Sequence, residues 1–135
     1  MMEFHRGRLL DHVHLRVEDV ERSKRFYRAV FGALGREITH EFHGAFASDE
    51  LFVDKADDYV TRVHLAFQAD DPETVARFHE TALANGGRDN GKPGERTYHP
   101  GYYAAFVLDP DGNNIEAVFH GPSTRSAPDV VVTPR

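Results

Sequence analysis

The stretches HVHLRVED (residues 12–19) and HLAFQADD (residues 64–71) decide the fold, because they are one device written twice. In the first, Val13, Leu15 and Val17 alternate with His12, His14 and Arg16. In the second, Leu65 and Phe67 alternate with His64, Ala66 and Gln68. A period of two marks a strand with one apolar face, and each leading histidine lies opposite that face. Asp19 or Asp71 then offers a helix cap, and Glu21 or Glu73 suits the positive end of a helix.

Working outward, an offset of 52 residues (64 minus 12) extends the match without a gap. Leu15 falls on Phe67, Arg25 on Arg77, Phe26 on Phe78 and Gly35 on Gly87. An ordered internal repeat of this kind makes each half one supersecondary unit. Phe26, Tyr27, Val30, Phe31 and Leu34 form a helical stripe, stopped at Gly35. Pro72, Val75, Phe78, Ala82 and Leu83 repeat it, stopped at Asn85-Gly86-Gly87. Strands are expected over 37–44 and 45–55, with turns at 43–44 and 48–49. Residues 88–101, rich in Gly, Pro and charge, read as an excursion loop. A strand over 102–108, the turn Asp109-Pro110-Asp111-Gly112 and a last strand over 113–120 complete the second half.

The pattern predicts an α+β fold of two βαβββ modules, about 9–57 and 61–121, in one domain over 1–121. Residues 122–135 read as a mobile tail. The length of 135 residues suits a single domain. There is no cysteine, so any metal must be held by His, Asp or Glu, and a reducing cytoplasm is the expected setting. A net charge of -6 without a basic stripe disfavours nucleic acid. No signal peptide or membrane span is read.

Three residues stand out for chemistry. Glu116 lies mid-strand among Ile115, Ala117 and Val118, where an ionised carboxylate needs a charged partner or a metal. The bland alternative is an exposed sheet face. A lone strand histidine is most often structural, but His12 and His64 occupy equivalent places in a repeat. If the halves are related by a pseudo-twofold, both imidazoles can converge on one point. Two His and one carboxylate suit Fe, Mn, Co, Ni or Zn and leave open positions. Aligning the last strand with Asp49-Glu50-Leu51-Phe52-Val53 sets Glu116 opposite Phe52, so three protein ligands are expected.

The blocks LLDHVHLRVEDVERSKRFYRAVFGALG, RVHLAF and YYAAFVLDPDGNNIEAVFHG resemble the vicinal oxygen chelate superfamily. That group includes glyoxalase I, extradiol dioxygenases, fosfomycin-resistance thiol transferases and bleomycin-binding proteins. With the second helix, the resemblance covers most of residues 9–121. It implies a cup-shaped mixed sheet with helices outside, and one divalent metal at His12, His64 and Glu116. It also implies a homodimer. Glyoxalase I typically has a Glu where this chain has Phe52, so three ligands are closer to the transferases and dioxygenases.

The resemblance further implies bidentate chelation of a small oxygenated or electrophilic substrate, by lyase, thiol-transferase or dioxygenase chemistry. An acid or base is still required. The candidates are His99, Tyr102, Tyr103 and His14. Tyr102 and Tyr103 point to opposite faces, so at most one enters the cup, and His99 with Tyr103 is the pair carried forward. Arg16 could hold an anionic substrate group, but is read as salt-bridged to an acidic neighbour. His40, His43, His79 and His120 are read as surface residues. The alternative function is a non-catalytic protein that sequesters a drug or metabolite.

Overall fold

The computed structural model describes residues 3–135, except the side chain of Arg6. In chain order the elements are β1 (Phe4–Arg6), β2 (Val13–Val17), α1 (Val20–Ala33), β3 (His40–Phe42), β4 (Ala45–Ser48) and β5 (Leu51–Lys55). They continue with β6 (His64–Gln68), α2 (Pro72–Ala84), β7 (Arg88–Glu95), β8 (Tyr103–Leu108), β9 (Asn114–Phe119) and β10 (Val130–Val132).

Each helix begins where its aspartate stands. Asp19 accepts a hydrogen bond from the Arg22 backbone N–H at 3.1 Å, and Asp71 from that of Thr74 at 2.7 Å. These bonds satisfy donors that the first helical turn leaves free. Each helix is followed by a glycine with positive φ, Gly35 at 76° and Gly86 at 98°, a conformation that ends the helix at little steric strain.

The two halves fold alike into four-stranded mixed sheets, ordered β2-β5-β4-β3 and β6-β9-β8-β7. In both, the first strand runs parallel to the last and the remaining pairs are antiparallel. Leu15, Val17 and Val53 from one sheet share a core with Val107, Ile115 and Ala117 from the other. Phe26, Tyr27, Val30, Val75 and Phe78 complete it from the helices. Full burial of each Phe contributes roughly 1.5–3 kcal/mol. Phe31 meets Phe67 with centroids 5.6 Å apart, a direct bridge between halves. At Gly87 a Cβ would stand 2.8 Å from the Ala82 carbonyl oxygen and 2.9 Å from the Phe26 ring. Only glycine admits that approach.

Two expectations change. Residues 88–95 are strand β7, paired with β8, not loop. The ladder breaks register between Asp89 and Gly91 and again between Gly91 and Gly94, so bulges hide the strand from a simple periodic reading. In the stretch read as a mobile tail, Val130–Val132 pairs antiparallel with Phe4–Arg6. That contact joins the two ends of the chain, which no local pattern shows. Among the described residues, no helix is long and apolar enough to cross a membrane.

Candidate functional site

The site grows from β9. Strand alternation puts Ile115 and Ala117 in the core and sends Glu116 to the opposite face. There Glu116 pairs with Ala66 of β6 on one side and Phe106 of β8 on the other, and is only 2% exposed. A carboxylate this buried needs partners for both oxygens. His64, the first residue of β6, places Nε2 2.8 Å from Oε1. The Tyr102 hydroxyl donates to Oε2. Burial first, then the hydrogen bond and charge of Glu116, push the Tyr102 pKa up to about 12. Tyr102 therefore remains a protonated donor at neutral pH.

The turn before β9 fixes this geometry. The Asp109 carboxylate accepts from the backbone N–H groups of Asp111 and Asn113 at 2.9 and 2.8 Å, and from Asn113 Nδ2 at 2.9 Å. Asn113 Oδ1 in turn accepts from the N–H of Val63, the residue before His64, at 2.8 Å. One buried side chain thus ties the turn to the start of β6. From the other half, the buried Tyr27 hydroxyl donates to Asp109, while Arg22 and Ser23 reach Asp111. Aspartate in a DPDG turn reads locally as turn chemistry, and its partners come from elements far away in sequence.

Beyond Tyr102 lies a collar of rings. Tyr98, His99 and His120 meet the Tyr102 ring edge-on at 4.8, 5.3 and 5.1 Å. His99 Nδ1 lies 2.8 Å from the Pro100 carbonyl, which can only accept, so Nδ1 carries the hydrogen. His99 Nε2, 2.8 Å from His120 Nδ1, then accepts from it. On the other side of the pair, Phe106 lies 5.9 Å from the His64 ring.

The structure brings together two of the three expected ligands, His64 and Glu116. His12 lies just ahead of β2 on the other sheet, with a side chain 61% exposed and Nδ1 2.7 Å from Asp11. Among the described residues, no group of three or more His, Asp or Glu side chains is gathered to hold a metal. Tyr103, the expected acid or base, packs against the core, and Tyr102 takes the place beside Glu116. Alternation along β8 is the reason: the two neighbours must face opposite ways. His99 touches Tyr102 by its ring. His14 is held by Asp54 at 2.6 Å, and Arg16 by Asp57 at 2.7 Å. His79 is not a surface residue, whereas His120 is exposed as expected. His79 is 9% exposed and bonded to Asp89, and His120 stacks on His99. Arg96, Phe106 and Asn113 escaped notice in the sequence; the closely spaced Gly91 and Gly94 were the available signal for Arg96.

The donor chemistry of the pair fits a divalent metal. An imidazole nitrogen and a carboxylate oxygen are ligands for the borderline first-row ions. At 2.8 Å they are close enough to share an ion through bonds of about 2.0–2.2 Å. A cavity of about 430 Å³ lies elsewhere, lined by Phe31, Leu51, Phe67 and residues 125–130, and neither His64 nor Glu116 lines it.

The family model described as Glyoxalase/Bleomycin resistance protein/Dioxygenase superfamily matches residues 9–117. No curated protein matches the sequence. Among solved structures, a glyoxalase/bleomycin resistance protein from Albidiferax ferrireducens is similar at 31% identity and a TM-score of 0.73, over 82% of this chain and 98% of that one. A glyoxalase-related enzyme from Fulvimarina pelagi matches at 21% identity and a TM-score of 0.70, over 95% and 99%. A lactoylglutathione lyase from Agrobacterium tumefaciens matches at 23% identity and a TM-score of 0.59, over 81% and 91%. The last two likenesses bear on the fold alone.

Proposed function

Because the chain belongs to the glyoxalase/bleomycin resistance protein/dioxygenase superfamily, we propose that it is a divalent-metal-dependent enzyme acting on a small oxygenated or electrophilic molecule, with His64 and Glu116 at its reaction centre. The observation that carries this reading is the buried Glu116 carboxylate, drawn between His64 and Tyr102 on a strand where Ile115, Ala117 and Val118 surround it. Lyase, thiol-transferase and dioxygenase chemistry are all compatible with that centre.

His64 Nε2 and Glu116 Oε1 would hold the metal, and a bound ion would supply Lewis-acid polarisation of a chelated oxygen. The chain's own groups do the rest. Tyr102 orients Glu116 through Oε2, leaving Oε1 for a ligand. His64 Nε2 can carry a hydrogen toward Glu116 or offer its lone pair, not both at once. The rings of Tyr98, His99 and His120 pack edge-on against Tyr102 from the solvent side. The proton-handling role moves from Tyr103 to Tyr102, with His99 behind it.

The third ligand in this reading is His12. Its exposure and its place on the other sheet support donation from a second copy of the chain, which gives the expected homodimer a chemical task. One observation favours the alternative of a metal-free binding protein: His64 and Glu116 already satisfy one another. Elemental analysis of the natively expressed protein separates the two. The enzyme reading expects one equivalent of Mn, Fe, Co, Ni or Zn per chain, absent from Glu116→Gln and His64→Ala. A folded protein that refuses all five ions sinks it.

A further inference from the structure

On the face that carries the pair, one cation has a built seat and no counter-charge. Arg96 directly follows β7, past the two register breaks at Gly91 and Gly94. Its Nη1 donates to the carbonyls of Gly94 and Glu95 at 2.9 and 3.3 Å, and its Nη2 to that of Lys92 at 2.7 Å. The guanidinium lies over the Phe106 ring, 5.4 Å from its centroid. A Cβ on Gly91 would stand 2.9 Å from Phe106 Cδ1 and 3.3 Å from Arg96 Nη2; one on Gly94 would stand 3.3 Å from Nη1. Glycine at both places leaves room for the guanidinium.

Those three bonds occupy three of the five guanidinium N–H groups. Among the described residues none of its partners is a carboxylate. The Phe106 ring beneath it is the one that flanks His64, and residue 106 pairs with Glu116.

A guanidinium held rigid by neutral carbonyls, half-buried and without a counter-ion, is equipped to receive a carboxylate. We infer that Arg96 is the anion-recognition residue of this site, so that the substrate carries a carboxylate in addition to the oxygens that meet His64 and Glu116. The inference rests on the reading of that pair as the reaction centre.

Two probes test it. Catechol offers adjacent oxygens, and 3,4-dihydroxybenzoate offers the same oxygens plus a carboxylate. Both are titrated calorimetrically into the full-length protein with Mn(II), as wild type, Arg96→Gln and Arg96→Lys. The wild type should bind the carboxylated probe about 10- to 100-fold more tightly, the range a charge-assisted hydrogen bond adds. Arg96→Gln should equalise the affinities of the two probes. Arg96→Lys, which keeps the charge but loses the fork, should retain part of the preference and decides the matter if Arg96→Gln fails to fold. A preference that survives either loss undiminished, or a wild type that binds catechol with no gain from the carboxylate, overturns the role of Arg96 alone. A wild type that takes neither probe overturns the reaction-centre reading and this inference together.

Discussion

Phe52 and Glu116 occupy one station in the two halves of the chain: Phe52 pairs with His14 across β2 and β5, and Glu116 pairs with Ala66 across β6 and β9. His14 and Ala66 are themselves 52 residues apart (66 minus 14). The fold therefore provides two equivalent seats and fills only one with a carboxylate. In the other, Phe52 meets the His14 ring edge-on at 5.1 Å. Of these two seats only that of Glu116 is acidic, for reasons of side-chain chemistry and not of backbone.

The two adjacent tyrosines should behave oppositely. Tyr102→Phe removes the hydroxyl that donates to Glu116 and should weaken Mn(II) binding by about 10- to 100-fold, the usual loss for a group supporting a ligand. Tyr103→Phe should leave Mn(II) affinity unchanged, since Tyr103 packs against the core. Isothermal calorimetry on both variants checks this, and equal effects would contradict the assignment of faces.

Asn113→Ala should lower stability by about 2–3 kcal/mol, because Asp109 and the Val63 N–H each lose a buried partner. The disturbance should be felt first at β6. Hydrogen exchange is expected to quicken at Val63 and His64 before it does in β2. Uniform acceleration across the chain would show a global effect only.

Tyr27 governs an alkaline limb. Burial first, then the charge and hydrogen bond of Asp109, raise its pKa well above the ordinary tyrosine value. A raised folded-state pKa gives stability that is complete below pH 10, the unfolded value, and is lost as pH climbs toward the folded one. Tyr27→Phe should therefore lower stability by about 1–2 kcal/mol at neutral pH and flatten its decline above pH 10. Denaturant midpoints from pH 7 to 11 measure both.

His5 and Asp129 tie β1 to the segment leading into β10. The hydrogen bond and charge of Asp129 raise the His5 pKa. The tie is thus fully present below pH 6.5 and fades as pH passes the raised value. Amides of Val130–Val132 should be better protected at pH 5.5 than at pH 8.5, after correction for intrinsic exchange. Asp129→Asn should abolish that difference, and its persistence would exclude the pair as the cause.

What the sequence determined by itself was local or repeated. The strand periods at 12–17 and 64–68, the caps at Asp19 and Asp71, the helix stops and the DPDG turn follow from dihedral preferences and short-range hydrogen bonds that neighbouring residues settle among themselves. The repeat singled out His12 and His64, and the apolar setting of its strand singled out Glu116; the structure sets His64 and Glu116 2.8 Å apart. Tertiary structure alone decided the rest. The strand character of 88–95 depends on pairing with β8 across bulges, and that of 130–132 on pairing with the far end of the chain. The choice of Tyr102 over Tyr103 depends on the absolute phase of β8 against the core, because alternation says only that two neighbours differ. His12 lies apart from the pair because the halves fold into separate sheets, and no single strand encodes how two sheets are placed.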